Sequence, residues 1–168
     1  MKGEQRRKSI IEILNDSKEP LSGAALASRF QVSRQIIVSD ITLLKAEGYK
    51  ILSTYRGYIL QDADMKSRIF KVRHNDEEIR DELYIIVDAG GKVIDVFVNH
   101  EIYGRLKADL LLSSRKDVDI FSEQMKAGRI SPLKHLTNDY HYHTVLGDSE
   151  EILDFIENQL EKKGYLSK

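Results

Sequence analysis

The sequence predicts an α+β protein in two parts, on the basis of its periodicity and its charge. Three helical patterns and a short hairpin pattern fill the first sixty residues, and strand-like and helix-like patterns alternate after them. Residues 1–60 hold ten Lys or Arg and six Asp or Glu, whereas residues 61–168 hold sixteen and twenty-one. This difference could arise by chance, but it favours a first part that meets a polyanion. We expect domains at 1–61 and 68–168, joined by a polar linker at 62–67.

Three amphipathic helices are predicted in the first domain. The segment RRKSIIEILND carries Ile10, Ile11 and Leu14 at helical spacing, which gives one apolar stripe. Ser22 and Ser33 are predicted N-caps of the second and third helices, because a serine hydroxyl accepts a hydrogen bond from a free N–H of the first turn. The positions predicted to be buried in these two helices are Ala25, Leu26, Phe30, Ile36, Ile37, Ile41 and Leu44.

The segment YKILSTYRGYIL follows, and its apolar runs on either side of Arg56 and Gly57 predict a β-hairpin. Two short helices joined by a tight turn form a helix-turn-helix, and the hairpin makes it a winged helix, which would bind double-stranded operator DNA. Arg6, Arg7 and Lys8 would add a cationic patch for phosphates. A protein–protein module with ordinary surface charges is the alternative. The residues predicted to contact DNA are Ser33, Arg34, Gln35 and Ser39 on the third helix and Arg56 on the hairpin.

The second domain is predicted to contain antiparallel strands covered on one face by helices. Strand patterns occur in RIFKVRH, KVIDVFVNH, YGRLKADLLL and DYHYHTVLG, and helical patterns in DEEIRDELYIIVDAGG, SSRKDVDIFSEQMKAG and DSEEILDFIENQLEKKG. Asn75 or Asp76 would cap the first of these helices, and Ser113 or Ser114 the second. The segment ISPLKHLTN is expected to form a turn. The result is a two-layer antiparallel α+β domain.

Histidines are the main chemical signal of the second domain. His141 and His143 stand two positions apart in a predicted strand, so both imidazoles point to the same face. His74 ends another strand, and Glu82 lies eight residues further, where its carboxylate could turn back over the strand end. Three imidazoles and one carboxylate suit a divalent transition metal ion, with zinc or nickel first and iron or manganese possible. The alternative for each histidine is a surface residue or a hydrogen-bonded core residue.

Several classes of protein are excluded by what the sequence lacks. With no cysteine there is no disulfide framework, no cysteine-based zinc finger and no thiol nucleophile. No apolar run approaches the ~18 residues of a membrane span, and the basic N-terminal segment lacks the continuous apolar core of a signal peptide. No phosphate-binding Gly-Lys-Ser/Thr sequence occurs. We therefore expect a cytoplasmic protein that does not enter a membrane.

Four segments together resemble a known family. VSRQIIVSDITLLKAEGYKI, GGKVIDVFVNHEIYG, PLKHLT and HYHTVL are similar to segments of the niacin-responsive transcriptional repressors, whose C-terminal part is the 3H domain. The resemblance covers nearly the whole chain. It implies a homodimeric repressor of genes for NAD synthesis or niacin uptake, with nicotinic acid as co-repressor and an HPr-like fold in the 3H domain. It also implies metal ligation by His74, Glu82, His141 and His143.

This resemblance leads to a hypothesis for regulation. A metal ion with an open coordination position would take the pyridine nitrogen or the carboxylate of nicotinate. Arg73 and Arg105 are candidates for contacting that carboxylate, although ordinary surface charges are the alternative. Two other functions remain open: a metal-responsive repressor that does not use niacin, and a metal-dependent hydrolase whose N-terminal unit merely docks. We favour the niacin-responsive repressor, which would not be an enzyme.

Overall fold

The computed structural model describes residues 2–54, 56–62 and 64–168. The chain divides into two compact units, Met1–Ala63 and Asp64–Lys168, and each has its own hydrophobic core. Among the helices of the described ranges, none combines the length and the apolar character needed to cross a membrane.

The first unit consists of three helices and a two-stranded antiparallel sheet. As predicted, the hydroxyl oxygens of Ser22 and Ser33 accept hydrogen bonds from backbone N–H groups in the first turns of the second and third helices. The predicted helix-turn-helix with a hairpin is therefore confirmed. The elements are α1 (Gly3–Asp16), α2 (Gly23–Phe30), α3 (Arg34–Ala46), β1 (Ile51–Thr54) and β2 (Gly57–Leu60).

Two positions predicted to be buried are exposed. Ala25 lies on the outer side of α2, and Ala27 is buried in its place. Ile36 is 39% exposed on α3, while Asp40 is buried. The helical period alone could not decide this, because Ile36 lies about 100° around the helix from Ile37, at the edge of the apolar stripe.

A buried ion pair connects α1 to α3. Nε of Arg6 lies 2.6 Å from the carboxylate of Asp40, and Arg7 contacts the same carboxylate at 3.5 Å. A carboxylate removed from water needs such compensation, since an unpaired buried charge is strongly unfavourable. Arg6 and Arg7 therefore connect α1 to α3 and are partly buried, whereas the side chain of Lys8 is exposed, so a phosphate-binding patch at these three residues stays a prediction.

The second unit is a four-stranded antiparallel sheet with helices on one face. The strand order is β3-β6-β4-β5, and one face packs against α4, α5 and α6 in a common apolar core. Ser114, one of two predicted caps, begins α5 with a reciprocal capping box. The predicted two-layer α+β architecture is confirmed. The elements are β3 (Lys66–Arg73), α4 (Ile79–Asp88), β4 (Lys92–His100), β5 (Gly104–Leu112), α5 (Arg115–Lys126), a 3₁₀ helix (Leu133–Thr137), β6 (Tyr140–Gly147) and α6 (Glu150–Lys162).

Three local features of this unit differ from the prediction. β3 begins at Lys66, inside the predicted linker 62–67, because its first residues pair with the end of β6. α4 begins only at Ile79, because Asn75 and Glu78 accept hydrogen bonds from each other's backbone N–H groups in the preceding turn. The segment ISPLKHLTN contains the 3₁₀ helix rather than a simple turn.

Candidate metal centre and nucleic-acid interface

The four predicted metal ligands come together in the second unit. His74 directly follows β3, His141 and His143 lie on β6, and Glu82 lies in the first turn of α4. β3 and β6 are paired strands, and α4 packs on the sheet face to which the odd-numbered residues of β6 point. All four side chains are buried, and none belongs to a residue more than 5% exposed.

Glu82 is at the centre of this cluster. Its Oε2 lies 2.6 Å from Nε2 of His74 and 3.6 Å from Nε2 of His141, and its Oε1 lies 3.2 Å from Nε2 of His143. Among the described residues, no hydrogen-bond partner meets this Oε1 with good geometry. Three imidazole rings therefore surround one carboxylate that they do not fully satisfy.

The outer nitrogen of each imidazole is fixed by a backbone carbonyl. Nδ1 of His74 lies 2.7 Å from the carbonyl oxygen of Asn75, and Nδ1 of His141 and His143 lies 2.9 Å from those of Asp139 and Asp95. A carbonyl only accepts, so Nδ1 carries the proton and donates it. In the neutral ring Nε2 then offers a lone pair toward the carboxylate. Metal-ligating histidines are held in this way.

The electrostatics of the cluster favour a cation among these groups. Burial opposes ionisation of Glu82, but His143, His141 and His74 outweigh it and hold the pKa of Glu82 well below its usual range. Burial lowers the pKa of His141 below the ordinary value. Burial is the largest single influence on His74 and His143 and acts against their protonation, but the charge and hydrogen bond of Glu82 together with a backbone hydrogen bond outweigh it and raise the pKa of both. Positive charge is therefore favoured beside the buried carboxylate.

Two of the three distances between Glu82 and the histidines fit ligands of a small transition metal ion, whereas the 2.6 Å between its Oε2 and Nε2 of His74 is a hydrogen-bond distance. Ligands ~2.1 Å from a tetrahedral ion lie about 3.4 Å from one another. The distances from Glu82 to His141 and His143, 3.6 and 3.2 Å, are close to this value. The candidate ligand atoms of His74, Glu82 and His141 all lie within 4.8 Å of one another. Imidazole and carboxylate donors, the orphaned Oε1 and the fixed outer nitrogens all match zinc or a similar ion.

A narrow apolar cleft leads to the donor cluster. It contains about 340 Å³ of empty space, a volume that includes space open to solvent. Its polar end is formed by Glu82, His141 and His143. The remaining lining residues, from the helices, the sheet and the 3₁₀ segment, are Ile79, Leu83, Val96, Leu110, Phe121, Met125, Pro132, Leu133 and Lys134.

Lys134 is a site residue that sequence reasoning missed. It is 3% exposed, and its Nζ lies 2.7 Å from Asp76, 2.8 Å from Asp139 and 3.0 Å from the carbonyl oxygen of His74. These contacts tie the 3₁₀ helix to the strand end that carries His74. The motif PLKHLT contains this lysine, but a lysine in a predicted turn normally indicates an exposed charge.

The two remaining histidines have structural contacts outside the cluster. Nε2 of His135 lies 2.8 Å from the carboxylate of Asp76 at the surface. Nδ1 of His100 accepts hydrogen bonds from the N–H groups of Ile102 and Tyr103 at 3.2 Å, which closes the turn between β4 and β5. Neither histidine belongs to the candidate metal centre.

The two arginines proposed to contact a carboxylate lie outside the cleft lining. Arg73 donates a hydrogen bond to the carbonyl oxygen of Asn138 and lies over the ring of Tyr140. The guanidinium of Arg105 stacks 3.7 Å from the centre of the Phe97 ring. Both therefore act as surface cations on aromatic rings.

The predicted DNA contacts of α3 are exposed at its beginning. The hydroxyl of Ser33 is engaged as the cap, and Ser39 donates its hydroxyl proton to the carbonyl oxygen of Gln35. Arg34 lies against the start of α2: a Cβ atom on Gly23 would be 3.5 Å from Cγ and Nε of Arg34. Gln35 is exposed on the same turn, and a side-chain amide is a group that can hydrogen-bond to a base edge.

The predicted DNA contact on the hairpin, Arg56, has a partner within the protein. Arg56 donates a hydrogen bond to Glu19 at 2.7 Å. Tyr55, which precedes it, lies outside the described residues. An arginine held by a surface carboxylate can still exchange that partner for a phosphate, because exposed ion pairs contribute little free energy.

Comparison with known proteins supports both halves of this description. Residues 67–168 match the 3H domain family, and residues 6–59 match a helix-turn-helix domain family. The chain is 42% identical to a protein of Thermotoga maritima named probable transcription repressor NiaR, over 97% of this chain and 94% of that protein. It is 37% identical to the Bacillus subtilis protein named transcription repressor NadR, over 99% of this chain and 95% of that protein.

Proposed function

Because this chain belongs to the NiaR- and NadR-like family of helix-turn-helix repressors with a 3H domain, we propose that it represses genes of NAD synthesis or niacin uptake. In this proposal the protein binds operator DNA as a homodimer, with nicotinic acid as co-repressor. The relatives are named repressors, so family membership supports a DNA-binding regulator and not the metal-dependent hydrolase.

One observation carries the effector part of this proposal. Glu82, His141 and His143, three members of the buried donor cluster, form the polar end of an apolar cleft. A planar aromatic ring with one carboxylate matches such a site, since small-molecule sites combine apolar walls with a few placed polar groups. The same cleft is narrow and mostly apolar, so it is poorly suited to a larger or strongly polar molecule.

The candidate ligands would hold a divalent ion, zinc or nickel, which supplies Lewis acidity toward a carboxylate or a pyridine nitrogen when bound. The other roles in effector binding belong to residues of the protein itself. Leu83, Phe121 and Met125 surround the ring and exclude water from it, while the backbone carbonyls behind the imidazoles keep Nε2 of each histidine directed inward.

We expect the cleft wall to move when the effector enters, because the donor side chains at the polar end of the cleft are almost completely buried. The 3₁₀ segment is the candidate moving wall, because Pro132, Leu133 and Lys134 line the cleft and Lys134 holds the segment to two surface carboxylates. Displacement of this segment would make the nicotinate-bound protein differ in structure from the nicotinate-free protein.

Linkage sets a quantitative condition on this mechanism. If nicotinic acid raises the affinity for operator DNA by some factor, the operator must raise the affinity for nicotinic acid by the same factor. Coupling of this kind is typically 5- to 150-fold, or about 1–3 kcal/mol. In a homodimer, the third helix of each copy would lie on one of two half-sites about one turn of DNA apart.

The decisive experiment measures DNA binding by the full chain with nicotinic acid, nicotinamide or neither, before and after removal of metal by a chelator. The probe is the duplex enriched from a random library by the zinc-loaded protein. We expect nicotinic acid, and not nicotinamide, to tighten binding at least fivefold, and chelation to abolish this difference. An equal effect of metal with and without nicotinic acid would replace the proposal by a metal-responsive repressor.

Two variants separate the effector site from the fold. His143→Gln alters a donor at the polar end of the cleft, and His100→Gln alters a histidine of the β4–β5 turn that takes no part in the cluster. The first should remove the nicotinic acid effect while leaving basal DNA binding in place, and the second should leave both unchanged. If both variants respond to nicotinic acid like the wild type, the effector does not bind at this cluster.

A further inference from the structure

We propose that α3 reads a thymine base through the side chain of Val38, by contact with the thymine methyl group in the major groove. The inference rests on DNA binding by the helix-turn-helix domain, and therefore on the first part of the proposed function. It goes beyond that function because it assigns a sequence-determining role to an apolar residue and predicts the base it reads.

The position of Val38 on α3 supports this role. The inner side of the helix is formed by Ile37, Ile41 and Leu44, which are at most 3% exposed. The outer side carries four residues at the spacing i, i+3, i+4 and i+7, which places them in one stripe along the helix. These residues are Gln35, Val38, Ser39 and Thr42.

Two of these four side chains have their protons engaged within the helix. Ser39 donates its hydroxyl proton to the carbonyl oxygen of Gln35 at 3.1 Å, and Thr42 donates to that of Val38 at 2.9 Å. Outward, both hydroxyls can only accept hydrogen bonds. The stripe therefore offers one amide, two acceptors and one isopropyl group, and it carries no formal charge.

An isopropyl group on this stripe is not explained by the core of the first unit. Val38 is 44% exposed and is not among the residues that form or cover that core. In the major groove the only apolar feature of a base edge is the methyl group at C5 of thymine, which Ala, Thr methyl and other apolar side chains contact. Hydroxyl acceptors and the Gln35 amide beside it suit the amino group and N7 of adenine. The stripe as a whole thus favours A·T pairs.

Arg34 has a different task in this arrangement. Its side chain passes over Gly23 at the start of α2, beside Tyr58, and so lies at the flank of the stripe. A cation at the start of a helix that approaches the DNA backbone meets phosphates, which fix orientation and carry no sequence information. Base discrimination is therefore left to the uncharged stripe.

The test replaces single thymines of the operator by deoxyuridine, which lacks only the methyl group. The full-length, zinc-loaded protein first selects duplexes from a random library in the presence of nicotinic acid. Each thymine of the consensus is then replaced in turn, and binding is measured for the wild type, Val38→Ala and Leu43→Ala. Leu43 is a matched control, because it is 48% exposed on the same helix and lies about 140° around it from Val38.

We expect one thymine in each half-site at which deoxyuridine weakens wild-type binding about fourfold, the fold-change for ~0.8 kcal/mol from one apolar methyl group removed from water. Val38→Ala should bind the thymine duplex more weakly and be insensitive to deoxyuridine at that position, whereas Leu43→Ala should keep the wild-type sensitivity. Melting curves of the variants should coincide with the wild type, since both side chains are exposed.

Two results would overturn the inference without touching the proposed function: a consensus in which no thymine is sensitive to deoxyuridine, or sensitivity that Val38→Ala retains in full. Failure to select any consensus, with or without nicotinic acid, would instead remove DNA recognition itself. The two failures are therefore distinguishable in one series of measurements.

Discussion

The substitution Glu82→Gln should reduce the gain in stability that the protein obtains from bound metal. In the wild type the carboxylate is 1% exposed and faces three Nε2 atoms. Without metal, glutamine removes the buried charge, and its amide can donate to Nε2 of His74, 2.6 Å away. Burial then keeps the imidazoles neutral near pH 7.5. The imidazoles hold the pKa of Glu82 below its usual range, so the ionised carboxylate contributes stability near neutral pH, and the metal-free variant should be less stable than the metal-free wild type.

With metal the difference between wild type and variant should grow. Zinc at 1,000 times its Kd stabilises the wild type by ~4.1 kcal/mol, which corresponds to a rise in Tm of roughly 16 °C at about 4 °C per kcal/mol for a domain of this size. Glutamine lacks the anionic oxygen ligand, and a loss of about 100-fold in affinity removes ~2.7 kcal/mol of this gain. The rise in the variant should then be roughly 6 °C.

Thermal unfolding followed by circular dichroism, in chelator and in zinc, measures both effects. The control is Glu157→Gln, which neutralises an exposed carboxylate of α6 that pairs with Arg68. It should leave the zinc-induced rise in Tm unchanged. Equal rises in the wild type and in Glu82→Gln would refute the assignment of Glu82 as a ligand.

Three further predictions concern charged groups. Lys134→Met should destabilise the second unit by ~1–3 kcal/mol in urea, because it leaves the carbonyl of His74 and two carboxylates without their cation. Lys134 lowers the pKa of Asp76 and Asp139. The contribution of these two carboxylates to the stability is therefore present above pH ~4 and is lost as the pH falls through their folded-state pKa values. This contribution should be smaller in Lys134→Met. Asp40→Asn should cost the first unit about 3 kcal/mol, measured in urea, since it leaves a largely buried Arg6 uncompensated. Arg34→Ala should weaken all DNA sequences alike and reduce the salt slope by about 1, as titrations at several salt concentrations would detect.

The secondary structure could be predicted closely because its causes are local. Serine caps at Ser22, Ser33 and Ser114 and the apolar periods of the helices depend only on neighbours in the chain. The errors occur where helical periodicity does not decide which residue at the border of an apolar stripe is buried. Ile36 and Asp40 border the same stripe of α3, and the ion pair with α1, thirty-four residues away, buries the aspartate.

The candidate site was predictable in its members but not in its form. The H-x-H spacing put His141 and His143 on one strand face, a strand end and a spacing of eight residues suggested His74 and Glu82, and the family resemblance implied the same four ligands. The cleft beside them depends on α5 and the 3₁₀ segment, which no motif marks as its walls. Lys134 is buried by partners up to sixty residues away, so nothing in its own segment distinguishes it from a surface lysine.

The sequence by itself determined which segments are helices and strands, which residues can donate to a metal ion, and the family to which the chain belongs. Only the tertiary structure decided that the carbonyls of Asn75, Asp139 and Asp95 turn three imidazoles toward one carboxylate, and that the shared pocket opens into an apolar cleft. The physical reason is range. Caps and periods act over a few residues, whereas the protonation, burial and direction of a side chain depend on atoms that folding brings from distant parts of the chain.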